Sequence, residues 1–212
     1  MSCAFDLEHY RELLGAAAER YSFVHFDHEP RAGDLFLRHD VDLSLDAALE
    51  LAELEAAAGA KATYLLMTRS VFYNLASPEG ERALARLREL GHAVGLHALH
   101  PHLDLDERFD HVVAWHNPDP EFMREPLDGA VNVMSEPFFD PDHYRSDSNQ
   151  HWRSGCPHEE LEAGSFDWLQ LLTHPEIWVY PGATMRETMA SMLDAERDRD
   201  LERLLDDRID LS

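Results

Sequence analysis

The sequence predicts an α/β protein built on a parallel sheet or a (β/α) barrel. Short apolar runs alternate with amphipathic stretches in the order strand, helix, strand, helix, strand through the first half of the chain, which is typical of parallel α/β folds. Three apolar runs, at 35–42, 93–97 and 168–174, each end in Asp or His. Because functional groups gather at the carboxyl ends of parallel strands, these three ends predict one site.

The first elements follow from local patterns. Residues 6–20 carry apolar side chains three and four positions apart and predict an N-terminal amphipathic helix. A strand is expected over 35–39, after a turn that contains several charged residues. The next helix is predicted over 44–58, because Ser44 is a favourable N-cap and Gly59 a favourable stop.

The rest of the chain continues the alternation and then becomes irregular. Further elements are predicted in chain order as a strand at 61–67, a helix at 78–90, a strand at 93–96, short strand candidates at 112–115 and 130–133, a strand at 166–172 and a charged helix at 185–205. Between 97 and 164 prolines and aromatic residues are frequent. An irregular region of this length inside a compact domain is more often a set of functional loops than a linker.

Composition limits the partners of the chain. Its 212 residues fit one domain, and 42 acidic residues against 18 basic ones give a formal net charge of -24. This charge makes nucleic acid and anionic membrane surfaces poor candidate partners and favours neutral or cationic substrates. No secretory signal and no apolar run of membrane-spanning length is visible, so we expect no membrane span and a cytoplasmic location. Cys3 and Cys156 form neither a disulfide framework nor a Cys-x-x-Cys motif, and no role is predicted for them.

The acidic and histidine strand ends together predict a hydrolytic metal site. Asp42, His97 and His100 supply two imidazoles and one carboxylate, a set that holds zinc, iron or cobalt and leaves positions open for water and substrate. Asp40 would then act as a base beside the metal, and His174 would protonate the leaving group from the opposite side. The predicted reaction is hydrolysis of an amide or an ester.

Two other functions are compatible with parts of this pattern. The string from Asp40 through Asp42 to Ser44 is also typical of haloacid dehalogenase-type phosphatases. That activity needs a basic residue and a later acidic pair, and Lys61, the only lysine, follows too early. A non-catalytic relative that binds a metal or a sugar without turnover is the third hypothesis.

Five segments of the chain, which occur in the family's order, resemble motifs of the polysaccharide deacetylase-like family. This is the NodB-homology group, or carbohydrate esterase family 4, and the resemblance is to its branch that carries His-Asp-Val-Asp. It spans about residues 34–182, the core of one predicted domain over 1–212. The segments are Arg38-His39-Asp40-Val41-Asp42, Gly95-Leu96-His97, Trp115-His116-Asn117-Pro118, Tyr144-Arg145-Ser146-Asp147-Ser148-Asn149 with Trp152-Arg153, and Leu172-Thr173-His174-Pro175-Glu176-Ile177-Trp178.

The resemblance implies a fold and a first set of roles. The fold would be a distorted (β/α) barrel of seven strands. Asp40 would be the catalytic base, Asp42 a metal ligand and His174 the general acid, and Asp147 would orient that acid or the substrate.

The resemblance also bears on the remaining ligands and on substrate contacts. His97 and a partner would be the other metal ligands; we favour His100 as the partner because His100-Pro101 preserves a His-Pro pair, with His102 as the alternative. His116 takes the place of the Arg in the family's Arg-x-Pro segment. Together with Trp152 and Arg153 it is a candidate substrate contact, Trp152 being equally compatible with core packing.

The expected function is therefore removal of an N- or O-acyl group, such as acetyl, from a sugar or a related amide. One divalent metal would be required, with zinc expected first and iron, cobalt, nickel or manganese as alternatives. The expected cytoplasmic location favours a small sugar or a glycan precursor over an extracellular polymer.

Overall fold

The computed structural model describes residues 3–206 and has an α/β fold. Its helices are α1 Leu7–Ala18, α2 Leu45–Ala57, α3 Pro78–Glu89, α4 His158–Ala163, α5 Pro175–Val179 and α6 Met185–Asp206, with a 3₁₀ helix at Pro141–His143. Its strands are β1 Ser22–Phe23, β2 Asp34–Val41, β3 Ala62–Leu66, β4 Ala93–Ala98, β5 Val112–Trp115, β6 Val131–Asn132, β7 Tyr144–Ser146 and β8 Leu169–Thr173.

The strands form one curled, half-barrel sheet in which every pairing is parallel. Seven strands are hydrogen-bonded in the order β6-β5-β4-β3-β2-β8-β7, and the short β1 pairs with the start of β2. Among residues 3–206 no pairing joins β6 to β7, so the sheet stays open there. The predicted α/β class is confirmed, and a curled sheet of seven parallel strands is compatible with a distorted barrel.

Strand β2 lies at the centre of the fold. All eight of its residues are buried, because β3 and β8 flank it and side chains cover both faces. On one face Leu35 and Leu37 pack into the main apolar core, whereas Arg38 and Asp40 are buried polar residues. Since buried polar groups persist only when they are paired, this strand requires partners for its charges.

The helices that the sequence predicts begin within one residue of their expected starts. The side chain of Ser44 accepts a hydrogen bond from the backbone N–H of Ala47 and caps α2, as expected for the predicted helix 44–58. The amphipathic helix predicted at 6–20 corresponds to α1, whose buried face includes Tyr10 and Leu13. In residues 3–206 the structure contains no helix that is both long and apolar enough to cross a membrane.

The sequence missed β1, β7, α4 and α5. Each has six residues or fewer, too few to establish a hydrophobic period. These elements are held by tertiary contacts: β7, for example, pairs with β8 from Tyr144↔Gln170 to Ser146↔Leu172. The important consequence is that β2, β4, β5 and β8 all end at the same edge of the sheet.

Candidate active site

Three side chains at that edge converge on one point. His97 Nε2 lies 3.1 Å from Asp42 Oδ1, His116 Nδ1 lies 3.2 Å from the same oxygen, and the two ring nitrogens are 3.1 Å apart. We call Asp42, His97 and His116 the Asp-His-His cluster. Its three atoms form a nearly equilateral triangle.

The strands explain why these residues meet. Asp42 directly follows β2, His97 is the fifth residue of β4, and His116 directly follows β5. Strands β4 and β5 are neighbours, with Ala98 opposite Trp115, so the two imidazoles reach the same place from adjacent strands. Asp42 reaches the same place from β2, which β3 separates from β4 in the curled sheet.

The cluster fits a divalent cation. Ligand atoms around a tetrahedral zinc at 2.0–2.2 Å lie about 3.3 Å apart, close to the sides of this triangle. A single proton on one of these atoms can form a hydrogen bond to only one other atom of the triangle. A cation, in contrast, accepts lone pairs from all three atoms at once. Two imidazoles and a carboxylate suit zinc, iron, cobalt and nickel, and manganese to a lesser degree.

Charge in the cluster is consistent with a ligand role for Asp42. Burial raises the pKa of this carboxyl, but hydrogen bonds from His116 and His97 outweigh burial and hold the pKa far below its usual range. The hydrogen bond with Asp42 in turn raises the pKa of His116. His97 is buried, while Asp42 and His116 are partly exposed, so one side of the cluster is open to solvent.

The open side faces a cleft of about 360 Å³, which we call the central cleft. Asp42, His116 and His174 line it, together with apolar side chains such as Leu99 and Ile177. The volume lies near the lower end of the range for small-molecule pockets. A metal at the cluster would therefore be reached through a pocket of small-molecule size.

The structure does not bring His100 into the cluster. The ring of His100 stacks on Phe122 at a centroid distance of 4.3 Å and contacts the edge of Trp115. His102, the alternative ligand, is exposed and lies outside the cluster as well. The prediction of His100 thus differs from the observed grouping: the chain leaves β4 after Ala98, and His116, at the end of the adjacent strand, occupies the third position.

Asp40 lies beside the cluster and is fixed by an arginine. Arg38 donates two hydrogen bonds to it, from Nε to Oδ1 at 2.8 Å and from Nη2 to Oδ2 at 2.6 Å. The Oδ2 atom is 3.7 Å from His97 Nε2. Burial raises the pKa of Asp40, but the Arg38 guanidinium and His97 outweigh it and keep the pKa below its usual range.

Arg38 was missed at the sequence level. Residues two apart on a strand lie on the same face, so Arg38 and Asp40 were recognisable as a pair from their spacing alone. The spacing does not predict the second partner of the Arg38 guanidinium. Its Nη1 donates to Gln170 Oε1 at 3.0 Å. Gln170 belongs to β8 and donates in turn to the backbone carbonyls of Val133 and Phe138.

His174, which is partly buried, forms an ion pair with the fully buried Asp147. Asp147 is fully buried and accepts from His174 Nδ1 at 2.6 Å, from the His174 backbone N–H at 3.0 Å and from Trp178 Nε1 at 2.7 Å. Burial lowers the pKa of His174, but the Asp147 carboxylate outweighs it and raises the pKa to about 10. Because Nδ1 is held by Asp147, His174 has only Nε2 left to serve the central cleft.

The remaining predicted substrate residues lie away from the central cleft. Trp152 is buried, stacks on Phe5, packs against Trp178 in a tilted arrangement, and donates from Nε1 to Cys3 Sγ at 3.1 Å. It is part of the core, which was one of its two expected roles. Arg153 is exposed and does not line the cleft.

One further acid does line the cleft. Burial raises the pKa of Glu176 to about 7, and this residue follows His174 at the start of α5. Lys61, the lysine considered for a phosphatase site, precedes β3 and so lies at the opposite end of the sheet from Asp42.

Comparison with family models, with curated proteins and with solved structures finds no match for this chain. The structure brings together a ligand set for one cation, a carboxylate held by Arg38 and an imidazole held by Asp147.

Proposed function

We propose that this protein is a metal-dependent hydrolase that removes an N- or O-acyl group, acetyl in the first instance, from a sugar or a related amide. The observation that carries the proposal is the Asp-His-His cluster beside the buried carboxylate of Asp40 and the partly buried imidazole of His174. Hydrolysis of an acyl group requires a base that accepts a proton from water and an acid that donates a proton to the leaving group. Asp40 and His174 have environments that favour these two states at neutral pH.

The cluster would hold the metal. Asp42, His97 and His116 supply three ligands, with zinc as the first choice and iron, cobalt, nickel or manganese as alternatives. When bound, a divalent metal polarises a substrate carbonyl and lowers the pKa of a water molecule.

The protein's own side chains would move the protons. Asp40 accepts a proton from the attacking water, whose oxygen forms the new bond to the acyl carbon, and Arg38 keeps Asp40 ionised and correctly oriented. His174 donates the proton on Nε2 to the leaving nitrogen or oxygen as the acyl bond breaks, and Asp147 holds its ring through Nδ1. The products are a carboxylic acid and a free amine or hydroxyl.

Two features favour a small, uncharged substrate. The central cleft is about 360 Å³, and a chain with a net charge of -24 repels anions. An acylated sugar or a glycan precursor that presents a neutral acylated ring fits both features.

The test measures metal and product together. The chain is purified without added metal, its metals are quantified by mass spectrometry, and acetate and phosphate release are assayed side by side on acetylated sugars and on phosphate esters before and after metal depletion. Asp40→Asn should keep the metal of the cluster and lose about 10²- to 10⁴-fold in acetate release, whereas Asp42→Ala should lose both.

Asp142→Asn is the matched control, because this exposed side chain takes part in neither the cluster nor the cleft. Mg²⁺-dependent phosphate release would replace the proposal with a phosphatase. A metal-loaded protein that releases neither product would make it a binding protein.

A further inference from the structure

Cys3 and Cys156 have no predicted role and lie far apart in sequence. In the structure both line a second cleft. This cleft, of about 570 Å³, lies between α1 and α4 and is lined by Cys3, His9, Glu12, Cys156 and His158, among others. We call it the thiol cleft. It shares no lining residue with the central cleft.

Three possible metal-ligand atoms converge there. The sulfur atoms of Cys3 and Cys156 and one ring nitrogen of His9 all lie within 4.8 Å of one another. His9 Nε2 is 3.2 Å from Cys156 Sγ, and two such atoms on one tetrahedral zinc are about 3.5 Å apart. The three side chains therefore need only small shifts to surround one ion.

A carboxylate behind His9 points that histidine toward the sulfur atoms. His9 Nδ1 lies 2.9 Å from Glu12 Oε2, three residues later on α1. With its proton on Nδ1 and donated to Glu12, the ring directs the lone pair of Nε2 at Cys156. Zinc-binding histidines are characteristically oriented by a carboxylate in this way. A disulfide between Cys3 and Cys156 would not require the contacts of His9 with Glu12 and Cys156.

A second histidine lies next to His9. The ring of His158, the first residue of α4, is centred 5.3 Å from that of His9, and His9, Glu12 and His158 form an overlapping group of ligand atoms. The indole N–H of Trp152 donates to Cys3 Sγ at 3.1 Å. Such a hydrogen bond stabilises a sulfur atom that carries negative charge.

We propose that the thiol cleft is a second metal site, selective for zinc or a similarly soft divalent ion, with Cys3, His9 and Cys156 as ligands and His158 as the fourth. Two cysteines and two histidines are a common ligand set of structural zinc. Each thiol gives up its proton to solvent when it binds the ion. The ion would tie the start of α1 to the start of α4.

Cobalt spectroscopy tests the site directly. The chelator-treated, reduced wild-type chain is titrated with Co²⁺ and Zn²⁺. The proposal expects thiolate-to-cobalt charge-transfer absorption in the near ultraviolet, which imidazole and carboxylate ligands alone do not produce. Zinc should displace the cobalt and should slow alkylation of both cysteines by iodoacetamide, because a thiolate bound to a metal is no longer a free nucleophile.

Variants separate the thiol cleft from the Asp-His-His cluster. Cys156→Ser and His9→Ala should abolish the charge-transfer absorption, Glu12→Gln should weaken cobalt binding about 10- to 100-fold, and His111→Ala, an exposed histidine, should change nothing. Asp42→Ala should keep the absorption even if it abolishes deacetylation, so failure of one site is distinguishable from failure of the other.

Measurements on the folded wild-type chain decide the matter even if a variant does not fold. Absence of the charge-transfer absorption, or alkylation that Zn²⁺ does not slow, would overturn the proposal. Isolation of the chain with a Cys3–Cys156 disulfide that, once reduced, takes up no cobalt at the thiols would overturn it as well.

Discussion

Replacing Asp147 with Asn should remove the charge on His174. Asp147 is fully buried and accepts three hydrogen bonds, two from His174 and one from Trp178. Asn has nearly the same shape, so the packing is kept while the counter-charge disappears. The imidazole then loses the partner that raises its pKa and should become neutral near pH 7.

The pKa of His174 gives the size of the effect. Its rise from 6.5 to about 10 corresponds to about 5 kcal/mol of preference for the charged imidazole in the folded state. Because the folded pKa is raised, this stabilisation is fully present below the unfolded pKa of about 6.5 and is lost as the pH rises through about 10. The difference in unfolding free energy between wild type and Asp147→Asn should therefore be largest below pH 6.5 and should shrink by about 1.4 kcal/mol per pH unit above it.

Urea unfolding near pH 6 and near pH 9, with an NMR titration of the His174 ring, measures this directly. Asp142→Asn, an exposed residue of the same region, is the control and should show no such pH dependence. If the stability difference is the same at both pH values, or if His174 in the wild type titrates near its ordinary pKa, Asp147 does not hold the charge and the proposed acid role of His174 loses its basis.

Two further changes test the cluster and the core. His116→Ala should lower metal affinity at the cluster more than the 10- to 100-fold typical of an outer partner, whereas His100→Ala should leave it unchanged; equal metal content in the two variants by mass spectrometry would contradict the observed grouping. Glu55→Gln should cost about 3–5 kcal/mol in urea unfolding, because the buried Glu55 lies 2.8 Å from His39 and accepts a hydrogen bond from Tyr64; a loss below about 1 kcal/mol would show that this buried carboxylate is not ionised.

Several parts of the fold were predictable because they depend on near neighbours in the chain. The cap at Ser44 and the strand before Asp40 and Asp42 depend on residues within one turn or one strand. The alternation of these elements predicted the α/β class, and parallel strands place their carboxyl ends together whatever their order. That is why the pairing of Asp42 with His97 was accessible from sequence.

The third ligand was not accessible in this way. His100 and His116 are both near the carboxyl end of a strand, and the choice between them depends on the path of the chain after β4 and on β5 lying next to β4. Arg38 presented a milder form of the problem, since its spacing from Asp40 was visible but its bond to Gln170 on β8 was not.

The sequence by itself determined the α/β alternation, the acidic end of β2 and the histidines available for a site. Only the tertiary structure decided that His116 completes the cluster, that Asp147 lies against His174, and that Cys3, His9 and Cys156 share one cleft. The physical reason is range: hydrogen bonding and hydrophobic periodicity within one element act between residues a few positions apart. Convergence of side chains from separate elements is set instead by strand order and loop paths, which the packing of the whole chain selects.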